Sequence, residues 1–126
     1  MYSLCLKKDF IARHYLIGGD WGMENQPHAH HYALELRLEA GELDGHGYLV
    51  DLVNVEERLN HVIARYRDAM LNDLEPFAGL NPSLERFARL LWDDLTAGFP
   101  SIRGNRVTVR LWENESAWAQ WSGRPE

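Results

Sequence analysis

The sequence has a single cysteine, Cys5, among 126 residues. That excludes an intrachain disulfide and a cysteine-built zinc knuckle, which need several thiols. No apolar run approaches the roughly 20 residues that a membrane-spanning helix requires. The opening MYSLCLKKDF has no long apolar stretch behind basic residues, so no secretory signal is expected and the cytoplasm is the expected location. Positive charge is also scarce. Thirteen Lys and Arg against 19 Asp and Glu leave a formal net charge of −6. Nucleic-acid binding wants a basic stripe, so no nucleic acid is expected as a partner. An anionic small substrate stays open, because a local basic cluster can outweigh the global balance. Internal repeats, low-complexity tracts and linkers are lacking.

What is present suits one globular domain over residues 1–126, with 45% hydrophobic and 25% charged residues. Period-2 alternation predicts a first strand over 4–16, with Phe10, Ala12, His14 and Leu16 on one face. A turn-rich loop, Gly18-Gly19-Asp20-Trp21-Gly22, follows. The segment 28–40 alternates most cleanly: His28, His30, Tyr32, Leu34, Leu36 and Leu38 fall on one face and largely polar residues on the other. After a turn at 44–47, a short strand is expected over 48–52. Asn54 is the expected cap of a helix, with Glu57 completing a capping box and an apolar stripe from Val55 to Met70. A second helix is expected from Asn81-Pro82, burying Phe87, Leu91 and Leu95. A last strand spans 106–113, with Val107, Val109, Leu111 and Glu113 on one face, and the residues from Ser122 read as a frayed tail. Strands and helices that do not alternate point to the α+β class, with helices on one face of an antiparallel sheet.

The histidines carry the chemistry. Residues i and i+2 of a strand point the same way, roughly 6.5–7 Å apart at Cα. His28 and His30 can therefore converge on one ion, and a hairpin closing over 16–27 brings His14 to them. Zinc takes imidazole ligands, and catalytic zinc sites use three protein ligands with an open position. A His-x-His pair alone is often surface decoration; here it lies on the face that otherwise carries leucines, where bare imidazoles need partners. Glu113 ends an apolar stripe in the same way. At a pocket mouth its carboxylate can accept two N–H bonds from a planar amidine-like group such as a pterin or guanine ring.

These residues together resemble a known family. Phe10-x-Ala12-x-His14-x-Leu16 is similar to the first motif of the 6-pyruvoyltetrahydropterin and 6-carboxytetrahydropterin synthases. His28-Ala29-His30-His31-Tyr32 resembles their His-Gly-His-Asn-Tyr motif. The segment Gly47-Tyr48-Leu49-Val50-Asp51-Leu52, the pair Leu71-Asn72, the run Pro82-Ser83-Leu84-Glu85 and Glu113 match further family positions in order. The resemblance implies the tunnelling fold, an antiparallel four-stranded sheet with two helices on one face. It implies a homo-oligomer built on trimers, often a hexamer. It also implies Zn2+ on His14, His28 and His30, a pterin held by Glu113, and 7,8-dihydroneopterin triphosphate as the usual substrate.

The chain departs from the family at its proton relay. The loop before His28 holds no cysteine, and the family's Asp-His pair falls on Arg67-Asp68. One branch of the family replaces the cysteine with a loop glutamate and leaves a 6-hydroxymethylpterin. Glu24 resembles that glutamate, although that branch places it three residues before the first histidine, where this chain has Asn25. A loop glutamate beside Asp20 is otherwise an ordinary solvated charge. Glu24 and Asp68 are the candidate replacement bases, and Arg67 and Asp68 read equally well as an exposed ion pair. The expectation is a zinc-dependent pterin-processing lyase with altered catalytic residues; the alternative is a zinc- and pterin- or purine-binding homologue with no activity or a changed one.

Overall fold

The computed structural model describes residues 1–126. Two long strands dominate it. β1 (Tyr2–His14) and β2 (His28–Ala40) pair antiparallel along their full length, from Tyr2 opposite Ala40 to His14 opposite His28. β3 (Arg106–Trp112) pairs with the distal half of β2, and β4 (Trp118–Gly123) closes the sheet in the order β1-β2-β3-β4. Between β2 and β3 come α1 (Leu52–Ala64) and α2 (Leu84–Thr96).

The alternation of the strands decides where the core forms. Leu34, Leu36 and Leu38 of β2 and Val107, Val109 and Leu111 of β3 are all buried, with Val55, Leu59, Phe87 and Leu91 of the helices. Both helices therefore lie on one sheet face. The other face is polar, carrying Glu35, Arg37, Thr108 and Arg110 around one groove. This is the α+β architecture with a four-stranded antiparallel sheet.

Several sequence expectations shift, beginning with β1, which ends at His14 rather than at Leu16. The fourth strand is not 48–52. There Asp44 closes a turn, its Oδ1 accepting from the backbones of His46 (2.8 Å) and Tyr48 (3.0 Å) while its N–H donates to the Tyr48 carbonyl (2.8 Å). Those bonds consume backbone groups that a strand would need. The fourth strand is Trp118–Gly123, which takes in Ser122 of the supposed tail. Its turn is set by Asn114, whose Oδ1 accepts from Ser116 N (2.7 Å) and Ala117 N (3.0 Å).

The first helix starts earlier and stops earlier than its stripe suggests. Asp51, not Asn54, is the cap: its Oδ1 accepts from Val53 N (3.0 Å) and Asn54 N (3.4 Å). Val50 and Val55 flank that cap and are both in the core, the arrangement of a hydrophobic staple. Past Ala64 the chain peels away, and Tyr66 and Met70 leave the helix. Asp68 N donates to Ile11 O (2.6 Å) and Arg13 N to Ala69 O (2.9 Å), so this segment covers the outer edge of β1. Finally, α2 begins at Leu84 with Ser83 as its cap, the Ser83 Oγ accepting from Arg86 N at 3.2 Å; Pro82 lies before the helix.

Candidate metal centre

Full register between β1 and β2 sets His14 directly across from His28 and Ala12 across from His30. All three imidazoles point to the helix-bearing face at the loop end of the hairpin. Ring centroids lie 4.5 Å apart for His14 and His28, 4.9 Å for His14 and His30, and 5.0 Å for His28 and His30. One ring nitrogen from each falls within 4.8 Å of the other two. Tetrahedral zinc separates its nitrogen ligands by about 3.4 Å. Small rotations of half-buried rings span the difference.

Backbone carbonyls fix two of the rings. His14 Nδ1–H donates to Pro82 O (3.2 Å), and His28 Nδ1–H donates to Gln26 O (2.8 Å). A carbonyl only accepts, so the proton sits on Nδ1 and the Nε2 lone pair is left for a metal. Burial holds His14 neutral and lowers its pKa to about 4; the Pro82 bond opposes this, His28 and His30 lower it further, and the Glu24 carboxylate raises it. Three converging imidazoles, two of them with Nδ1 engaged by a carbonyl, suit zinc.

Glu24 sits in a short 3-10 turn, Gly22–Asn25. Its backbone carbonyl accepts from Leu16 N (2.9 Å), which ties the turn back to the end of β1. Its side chain is unpaired and exposed, with its charge felt at His14. Asn25 is differently employed. Its Nδ2 donates to Leu16 O and Gly19 O (3.0 Å each) and its Oδ1 accepts from Trp21 N (2.7 Å). Asn25 thus staples the loop, while the Glu24 carboxylate makes no hydrogen bond within the chain.

Glu113 lies just past β3, where its N–H donates to Ala117 O (3.2 Å). It is half-buried, and it lines an open cavity of about 970 Å3 together with His30, Trp112 and Lys7. Burial first, and then the Glu113 charge, hold the Tyr32 hydroxyl well above its ordinary pKa. Tyr32 is buried beside His30, with ring centroids 5.7 Å apart. Histidines and Glu113 therefore share one end of the sheet. Asp68 does not join them within this chain. It is exposed on the far edge of β1, its side chain without a hydrogen bond, at φ 61. Asparagines 72 and 81, which bond to the backbone beyond His14, gave no chemical signal in the sequence beyond the motif around Leu71-Asn72.

The sequence matches the 6-pyruvoyl tetrahydropterin synthase family over residues 3–124. It is 27% identical over 131 residues to the 6-carboxy-5,6,7,8-tetrahydropterin synthase of Bacillus subtilis (strain 168), covering 99% of this chain and 88% of that protein. The structure of Caenorhabditis elegans 6-pyruvoyl tetrahydropterin synthase superposes with a TM-score of 0.84 at 22% identity, over 97% of this chain and 95% of the other. A Plasmodium vivax 6-pyruvoyltetrahydropterin synthase, solved with a catalytic glutamate changed to alanine, superposes with a TM-score of 0.74 at 17% identity over 98% of both chains. Motifs, sheet order and these likenesses agree along nearly the whole length, and the chain belongs to the 6-pyruvoyl tetrahydropterin synthase family.

Proposed function

We propose that the chain is a zinc-dependent lyase that processes 7,8-dihydroneopterin triphosphate or a related pterin. The carrying observation is the convergence of three imidazoles at the sheet end that also holds Glu113, with Glu24 beside them. His14, His28 and His30 would hold the ion. Zinc, when bound, polarises hydroxyl and keto oxygens of the substrate side chain as a Lewis acid. Glu113 accepts two N–H bonds from the amidine-like edge of the pterin ring, which orients the side chain toward the histidines. Glu24 accepts the proton from that side chain. Its carboxylate is unpaired within the chain, whereas Asn25 is consumed in the loop. The Plasmodium vivax relative, whose catalytic residue is a glutamate, supports a carboxylate in this role. Asp68 lies outside the histidine cluster, on the outer edge of β1, so any part it takes would come from a second copy of the chain.

Incubation of zinc-loaded protein with 7,8-dihydroneopterin triphosphate, read by product mass, tests the proposal. A pyruvoyl, carboxy or hydroxymethyl product is expected. Glu24→Gln should lower kcat by about 10²–10⁴, the usual worth of a general base. Pterin binding without turnover would leave a zinc- and pterin-binding homologue that does not catalyse. Turnover untouched in Glu24→Gln would remove Glu24 from the mechanism.

A further inference from the structure

β1 ends at His14, yet the chain keeps an alternating bond pattern for three more residues. Asn72 Oδ1 accepts from Tyr15 N (2.9 Å) and Asn72 Nδ2 donates to Tyr15 O (2.9 Å). Asn81 repeats the clamp two residues on, with Ile17 N to Oδ1 at 2.7 Å and Nδ2 to Ile17 O at 3.2 Å. Leu16, between them, bonds in the other direction: its N–H goes to Glu24 O (2.9 Å) and its carbonyl to Asn25 Nδ2 (3.0 Å). A strand directs the backbone groups of successive residues to opposite sides. Two carboxamides therefore stand in for a neighbouring strand that is not there.

Asn81 has a second connection that Asn72 lacks. It precedes Pro82, whose carbonyl takes the Nδ1–H of His14. Pro82 is buried, its φ fixed by its ring. The Asn81 carbonyl accepts from Ser83 N (2.8 Å) and from the Arg86 guanidinium (3.2 Å), anchoring this turn to the start of α2. One short turn thus grips the chain three residues beyond His14 and orients the His14 ring itself. A carboxamide suits this clamp because it carries a donor and an acceptor on one planar group.

We propose that Asn81 is a positioning residue for the metal centre: its clamp on Ile17 holds the Pro82 carbonyl against His14, presenting the His14 Nε2 to the ion. This rests on the zinc reading above. Partners that orient a ligating histidine typically contribute 10–100-fold in metal affinity.

Cobalt(II) is the probe, because its visible bands report tetrahedral nitrogen ligation, and zinc affinity follows by competition with a chromophoric chelator. Asn81→Ala and Asn81→Leu remove the clamp, and the leucine variant keeps the volume. Leu95→Ala, in the core on α2, supplies a destabilised control away from the site. The comparison is made on variants that keep the parent far-UV circular dichroism. In the Asn81 variants the expected result is a roughly 10–100-fold loss of zinc affinity with altered cobalt bands. Leu95→Ala should bind as the parent does. Parent-like affinity and bands in both Asn81 variants, whatever their melting temperatures, would overturn the positioning role alone. A parent protein that binds neither metal would overturn the zinc reading and this inference with it.

Discussion

His14 is the residue on which most forces meet. It is 8% exposed, faces two other imidazoles and is bonded at Nδ1 to a carbonyl. Removing one member of such a cluster leaves two imidazoles, too few for a tight zinc site. His28→Ala should therefore abolish stoichiometric zinc binding, measured by metal analysis after dialysis; a retained equivalent would refute the triad. The same residue sets a pH dependence. Its pKa drops from 6.5 when unfolded to about 4 when folded. Between those values the unfolded chain carries a proton that the folded chain refuses. Metal-free protein therefore keeps this stability above pH 6.5 and loses it as pH falls toward 4. Thermal melts in chelator should show a Tm decline across that window that is shallower in His14→Gln. Identical slopes for the two proteins would count against it.

At the scale of elements, local capping competes with apolar periodicity. The stripe from Val55 to Met70 describes one long helix, but the chain ends it at Ala64 and spends the following residues on the edge of β1. Those residues satisfy backbone groups at Ile11 and Arg13 that would otherwise lack partners. The start is decided by Asp51. Asp51→Ala should cost about 0.5–2 kcal/mol of stability by loss of the cap. Glu57→Ala should cost little, since Glu57 is exposed and not part of a capping box. Urea denaturation of both variants decides between the two caps; a larger loss at Glu57 would reinstate Asn54.

Over the whole molecule, the sheet has two outer edges, along β1 and β4. The segment at Asp68–Met70 covers the β1 edge only near Ile11 and Arg13. Earlier β1 residues and the outer side of β4 remain free to pair, and Trp118 and Trp121 of β4 are 43% and 40% exposed. Open edges and exposed aromatics favour association with further copies. We expect native masses in multiples of three chains by sedimentation velocity. A monomer at micromolar concentration would remove the trimer-based assembly and any contribution of Asp68 across subunits.

The sequence by itself determined whatever depends on local periodicity. Strand alternation is a property of the backbone, so His28 and His30 were legible on the leucine face, and Phe10, Ala12 and His14 on theirs. The helical stripes and the α+β class followed in the same way. The ligand geometry of His14 was not legible, because it depends on register between strands separated by a loop and on a carbonyl 68 residues away. The fourth strand, β4, was hidden because an exposed edge strand carries little apolar alternation. In the sequence Glu24 is the candidate base, while the glutamate position of the family branch falls on its neighbour Asn25. Only the tertiary structure separated them, by bringing Leu16, Gly19 and Trp21 to Asn25 and leaving Glu24 free. An amide or carboxylate takes its role from the polar groups that folding brings within hydrogen-bonding distance, and those arrive from distant parts of the chain.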